Sequence, residues 1–210
     1  KIIYSDKDGF ALYDIASATT TFLNLGGYNP RLSTSGTKLA YIENTAAGID
    51  VYDLQTGKGR QISNQAYSSV VGWSADDSQL YVMVMAAGGS AWQAQSIDVQ
   101  SGGTKNLYVI ENGSYKALNA AISPDGKWIA YRGRNNSDLY LASVETGDSH
   151  LLVENPGLGL SGLVWGSNEW LVVSVLMDDN SEKVILVNPA TCETFEASQL
   201  NGKLEGLVIE

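Results

Sequence analysis

Ile122-Ser123-Pro124-Asp125-Gly126-Lys127-Trp128-Ile129-Ala130-Tyr131 is an apolar strand end, a four-residue polar turn and a second apolar strand. Proline presets φ near −65° early in such a turn and glycine accepts the positive φ that closes it, so Ile122 and Ile129 to Tyr131 must run antiparallel. Diluted copies occur at Leu32 to Tyr41, with Ser33-Thr34-Ser35-Gly36 as the turn, at Trp73 to Tyr81, with Ser74-Ala75-Asp76-Asp77, and at Trp165 to Val172, with Gly166-Ser167-Asn168-Glu169. Repetition of one hairpin specifies a scaffold and leaves open what that scaffold binds.

A second landmark follows each hairpin. Asp14, Asp53, Asp98, Ser143 and Asn188 stand 39, 45, 45 and 45 residues apart, each at the end of a β-rich run and, in three copies, just before a Thr-Gly or Ser-Gly turn. That period is the one of four-stranded propeller blades, roughly 40 to 45 residues. The runs alternate with near period two, as at Ile49 to Leu54 and Lys183 to Val187, and none shows a 3.6-residue apolar face. The fourth period reads as strand A ending at Ile122, strand B at 128–132, strand C at 138–143 and strand D at 149–153. The expected fold is all-β: a five-bladed β-propeller of four-stranded antiparallel blades in one domain. The expected blades are 1–26 plus 204–210, 28–64, 68–108, 117–155 and 161–200. Lys1-Ile2-Ile3-Tyr4 matches strand B of other periods and Gly206-Leu207-Val208-Ile209 matches Gly162-Leu163-Val164-Trp165, so the C-terminal strand is expected to close the first blade.

The Ser-Pro-Asp-Gly-Lys-Trp turn with Asp138-Leu139-Tyr140-Leu141 and Thr146-Gly147 resembles the repeat of TolB-like propellers, also called the WD-like repeat. The resemblance is strongest at 117–155, weaker at 28–64 and 68–108, and most degraded at 161–200. It implies a periplasmic or cell-surface binding platform. Similar propellers also cap the active site of prolyl oligopeptidase-type peptidases, but the chain shows no hydrolase domain from which that activity could follow.

Composition narrows the partners. With 44% hydrophobic residues, 22 Gly and only 4 Pro, the 210-residue chain can fill a core with short strands joined by turns. A net charge of −10 with 13 basic residues argues against nucleic acid. The longest apolar run, Leu80 to Ala87, is far below the roughly 18 residues of a membrane span, so no membrane insertion is expected. A start at Lys1 without Met fits either a processed mature domain or a piece of a longer protein. Cys192 is the single cysteine, so no intramolecular disulfide and no cysteine-based zinc set is expected, and it reads as a small half-buried residue.

Catalysis needs groups that the pattern does not supply. Glycosidases on five-bladed propellers require carboxylates about 5 to 9.5 Å apart on inner strands, and the five A strands carry only Glu205 and Glu210, at opposite ends of one strand. His150 opens strand D with no Ser or Cys to pair with. Asp6-Lys7-Asp8-Gly9 and Asp178-Asp179-Asn180-Ser181-Glu182 offer oxygens for Ca²⁺ but lack EF-hand spacing and read as solvated turns. No catalytic residue, metal or cofactor is therefore expected.

Register divides the aromatics. Trp73 and Trp165 align with Leu32 and Ile122 as inter-blade core, and Trp128 and Trp170 open strand B as structural residues. Tyr28, Tyr67, Trp92 and Tyr115 fall in or beside B–C and D–A loops, flanked by Arg132 and Arg134, and aromatics with Arg are the usual composition of an interaction patch. The third period carries the extra length, expected in loops near 86–92 and 110–117. The reading is a non-catalytic, extracytoplasmic and monomeric binding or sensor module for a protein partner. The alternative is a carbohydrate-binding propeller or the accessory domain of a hydrolase, in which Trp92, Tyr67 or Tyr115 would stack on sugar.

Overall fold

A computed structural model describes residues 1–6, 9–44, 48–67, 69–85, 91–110, 120–133, 138–154, 156–157 and 159–201. Among these, nineteen strands form five sheets and no helix occurs. The first sheet holds β1 (Ile2–Asp6), β2 (Gly9–Asp14) and β3 (Thr19–Phe22). The second holds β4 (Tyr28–Leu32), β5 (Lys38–Ile42), β6 (Ile49–Asp53) and β7 (Lys58–Ser63), and the third β8 (Ser69–Trp73), β9 (Gln79–Met85), β10 (Trp92–Asp98) and β11 (Thr104–Ile110). The fourth holds β12 (Ala120–Ile122), β13 (Trp128–Arg132), β14 (Leu139–Ser143) and β15 (Ser149–Val153), and the fifth β16 (Gly159–Trp165), β17 (Leu171–Leu176), β18 (Glu182–Val187) and β19 (Thr194–Asn201). Each is an antiparallel meander, and together they are the blades of a five-bladed β-propeller. The expected closing strand at 204–210 lies outside the described residues, which leave three strands in the first sheet.

The A–B turns show why the repeat reads as Ser-x-x-Gly. Gly36, Asp77 and Gly126 sit at φ 67°, 58° and 73°, and their amides donate to the carbonyls of Ser33, Ser74 and Ser123 at 2.8, 3.1 and 2.9 Å. Each serine hydroxyl in turn accepts the amide that opens strand B, from Lys38 (3.1 Å), Gln79 (2.9 Å) and Trp128 (3.0 Å). Ser74 and Ser123 also donate to Asp76 and Asp125, each at 2.6 Å. One serine thereby satisfies backbone that the turn would otherwise strand in a nearly buried place. The fifth sheet makes a tighter turn, with the Gly166 amide on the Trp170 carbonyl at 2.9 Å. The C–D turns repeat a second device: Asp53, Asp98 and Asn188 each accept a backbone amide three residues on, at 2.7, 2.7 and 3.1 Å, and Gly57, Gly102 and Cys192 close the turn at φ 69°, 75° and 61°.

The chain divides into two compact units, Lys1–Met85 with Ala94–Asn106, and Ala86–Gln93 with Leu107–Glu210. In the first, Phe10, Leu39 and Tyr41 bury the seam between the first two sheets, and Ala40, Ile42, Val51, Val70, Trp73 and Leu80 bury the seam between the second and third. In the second, Leu139, Leu141, Leu152, Leu160, Trp165 and Val173 join the fourth and fifth sheets. Trp73 and Trp165 are 4% and 7% exposed and donate their indole N–H to the Arg31 and Ala121 carbonyls of the preceding sheet, both at 3.0 Å.

Two expectations are corrected. Trp128 is 37% exposed, so it decorates the blade surface while its counterpart Trp170 packs edge-on against Phe195 at 5.5 Å. Cys192 is exposed in a left-handed turn position, where the backbone points its side chain outward. The loops near 86–92 and 110–117, where the extra length of the third period is expected, lie mostly outside the described residues; the strands beside them, β9, β10 and β11, run seven residues each, against five each in β13, β14 and β15.

Candidate functional site

The six residues singled out from the sequence fare differently. Tyr28 opens β4 and is 41% exposed, available for contact at the D–A end of its sheet. Tyr67 is 3% exposed, tucked into the core of the first unit, with its hydroxyl near Ser63 Oγ (3.1 Å) and Gln65 Oε1 (3.3 Å). Trp92 is 6% exposed because it begins β10 and shares the face of buried Ala94. Both rings therefore contribute to packing and present no stacking surface. Arg132 ends β13 and donates through Nη1 to the Leu160 carbonyl on β16, while its buried Nε has no partner. Burial pushes its pKa below the usual guanidinium value. Tyr115 and Arg134 lie outside the described residues.

At the turn end of the first unit, a cleft of about 480 Å³ opens between the second and third sheets, lined by Lys38, Asp53, Lys58, Arg60, Asp77 and Asp98 among others. Its charges are largely engaged. Arg60 donates to the Val99 and Gln100 carbonyls, and Asp77 accepts Ser35 and lies 4.0 Å from Lys38. Asp98 takes the Ser101 hydroxyl and amide on one oxygen, each at 2.7 Å, and Gln79 on the other at 3.1 Å, which holds its pKa below the ordinary value. This cleft is a seam that stitches two sheets, and the Asn168 side chain accepting the Asp125 amide at 2.9 Å is its uncharged counterpart in the second unit.

At the opposite end of the second sheet, Tyr41 faces Asp50 across the ladder and hydrogen-bonds its carboxylate. Burial, aided by Asp50 and Glu43, pushes the Tyr41 hydroxyl up to about 12. Burial and the neighbouring Glu43 raise Asp50. The arrangement keeps a proton on Tyr41 at neutral pH and offers no nucleophile. Among the described residues, the edge strands β4, β8, β12 and β16 carry no Asp or Glu, and no group of three or more His, Cys, Asp or Glu could hold a metal ion. In the Asp178 to Glu182 loop, Asp179 spends an oxygen on the Ser181 amide and hydroxyl, which is the hydrogen bonding of a tight turn.

The sequence missed Asn29 and Arg31 on β4. The ladder between β4 and β5 pairs Leu32 with Leu39 and Arg31 with Ala40, then skips to Tyr28 with Ile42, so Asn29 and Pro30 form a bulge. Asn29 has φ 58° and a buried Oδ1 without a partner. The Asn-Pro pair inside a strand was the available signal, since proline within a sheet is confined to edges and bulges.

No family model matches the chain, and no curated protein sequence does. Solved structures do. TolB from Acinetobacter baumannii superposes with a TM-score of 0.71 at 16% identity, over 90% of this chain and 49% of that one. A chain of the nidogen–laminin complex gives 0.67 at 10% identity over 90% and 72%, and an oligogalacturonate lyase in complex with manganese gives 0.64 at 14% over 89% and 58%. The chain thus spans about half the length of the TolB structure it resembles. No helix of the described residues is long and apolar enough to cross a membrane. The two sequence landmarks, the five meanders and these superpositions agree: the fold is that of a TolB-like β-propeller.

Proposed function

We propose that the chain is a non-catalytic binding or sensor module that works outside the cytoplasm, as a monomer, by holding a protein partner against the sheet ends that carry the B–C and D–A loops. The observation that carries this reading is the likeness to TolB and to a chain of a protein–protein complex. Tyr28 and Arg132 offer contact chemistry at those ends, and the repeat pattern of the sequence adds Tyr115 and Arg134, outside the described residues, as further candidates. The lack of carboxylates on β4, β8, β12 and β16 supports the absence of glycosidase chemistry.

A second reading, a glycan-binding propeller, is favoured by the likeness to the oligogalacturonate lyase. The burial of Tyr67 and Trp92 weighs against it, because a sugar platform needs an exposed ring face. Affinity capture from envelope extract, run beside a glycan array, separates the two. A protein retained in a stoichiometric, titratable complex supports the first reading. Array binding with no such complex transfers the function to glycans, and reproducible turnover in glycosidase, esterase or peptidase screens overturns both.

A further inference from the structure

One place in the repeat breaks the pattern of burial. In four sheets a large apolar residue at the end of the first strand stands directly across from one on the second: Leu32 faces Leu39, Trp73 faces Leu80, Ile122 faces Ile129 and Trp165 faces Leu171. The four second-strand residues are at most 1% exposed, and Tyr41, Val82, Tyr131 and Val173, two places further on, are at most 6% exposed. In the first sheet the same two places belong to Ile2 and Tyr4, since Ile2 pairs with Tyr13 as Leu39 pairs with Tyr52. They are 44% and 39% exposed. Ile3, between them, packs on the Phe10, Leu39 and Tyr41 core, so β1 is seated and its other face is bare. Phe22, in line with Tyr4 through Ala11, extends the bare row to β3. Among the described residues, no strand holds the place beside β1 that β4, β8, β12 and β16 hold beside their neighbours.

The four filled places define what fits the fifth: a short antiparallel strand that ends in a large apolar residue. Gly206-Leu207-Val208-Ile209 repeats the Gly162-Leu163-Val164-Trp165 end of β16. Its tether has the right length. Asp14, Asp53, Asp98 and Ser143 precede Leu32, Trp73, Ile122 and Trp165 by 18, 20, 24 and 22 residues, and Asn188 precedes Ile209 by 21. An open edge with exposed apolar side chains is a template for pairing with any free strand, so a strand from the same chain protects it. We infer that β1 is a strand acceptor and that residues 206–209 are the strand it takes, with Ile209 across from Ile2 and Leu207 across from Tyr4. That register copies Trp165 on Leu171 and Leu163 on Val173, and a slip of one residue would turn both side chains to the other face. The inference does not depend on which partner the protein binds.

The test is disulfide trapping in the full chain on a Cys192→Ser background. Ile2→Cys with Ile209→Cys puts two thiols across one ladder pair, whereas Ile2→Cys with Val208→Cys puts them on opposite faces. Mild oxidation is expected to close the first pair within one molecule and to leave the second pair reduced. Equal closure of the two pairs overturns the register, and a first-pair disulfide formed between molecules gives the edge to a second copy and overturns the inference. The parent supplies a second measurement that needs no cysteine. The Lys38 and Trp128 carbonyls accept the Ser33 and Ser123 amides, so the residues two and four places further on also face the first strand, and their counterparts in β1 are Ile3 and Ser5. Hydrogen exchange at the Ile3 and Ser5 amides is expected to be slow in the parent and faster by about tenfold or more in Leu207→Asp. Fast exchange at both amides in the parent, or protection that survives Leu207→Asp, would overturn the inference.

Discussion

Replacing Trp165 by Phe probes how neighbouring blades are joined. The indole is 7% exposed, packs with Leu139, Leu160 and Val173, and donates to the Ala121 carbonyl at 3.0 Å in a residue that is itself only 9% exposed. Phenylalanine keeps an aromatic ring, so the loss has two parts: about 1 kcal/mol for the hydrogen bond and the stranded carbonyl, and about 1 to 2 kcal/mol for the space that the smaller ring leaves. A total of about 2 to 3 kcal/mol lowers the midpoint by about 4 to 12 °C in a chain of this size. Trp73→Phe breaks the equivalent bond, to the Arg31 carbonyl, and predicts a loss of similar size in the first unit. Trp128→Phe is the control, because its ring is 37% exposed and surface changes usually stay within about 0.5 kcal/mol. Urea and thermal unfolding of the three variants decide the matter. If Trp165→Phe unfolds with Trp128→Phe, the indole-to-carbonyl bond does not join the blades and the register argument fails.

Trp92→Ala should cost about 3 to 5 kcal/mol in the same unfolding assays, since Trp92 is 6% exposed, and a neutral result would return it to the surface. Cys192→Gly should raise stability by about 0.5 to 1 kcal/mol, because Gly57, Gly102 and Gly147 hold the same left-handed position without a β-carbon, and a loss would refute the strain. The parent thiol, exposed at that turn, should react with an aromatic disulfide reagent in the native state as fast as in urea, and protection would contradict its placement. Hydrogen bonds from the Ser74 and Ser78 hydroxyls hold Asp76 at about 2, below its ordinary 3.8. Its contribution is therefore present above about pH 4 and lost as pH falls towards 2, so Asp76→Asn should flatten the acid limb of the stability profile.

The turns made the fold legible. Ser33, Ser74 and Ser123 with their left-handed partners, and the Asp53, Asp98 and Asn188 caps, are local chemistry that the sequence states outright, and strands in the fourth period fall within a residue of where that chemistry places them. What was not legible depends on tertiary context. Tyr67 and Trp92 sit near loop-like sequence, and both are buried in the folded chain, Tyr67 within the core that Val70, Trp73 and Leu80 share. The period-two series Trp92-Gln93-Ala94 held that clue, masked by the glycines just before it. The bulge at Asn29 and Pro30 depends on how β4 registers against β5, which no local stretch of sequence states.

The proposed binding mode holds a protein partner at the B–C and D–A ends of the blades. Its most direct test is calorimetric titration of the captured partner against Tyr28→Ala and Arg134→Ala, beside Gln55→Ala and Glu145→Ala in the opposite C–D turns. A loss of roughly 1 to 4 kcal/mol is expected for at least one of the first pair and less than about 0.5 kcal/mol for both of the second. Loss confined to Gln55 and Glu145 would place the partner at the turn ends and contradict it.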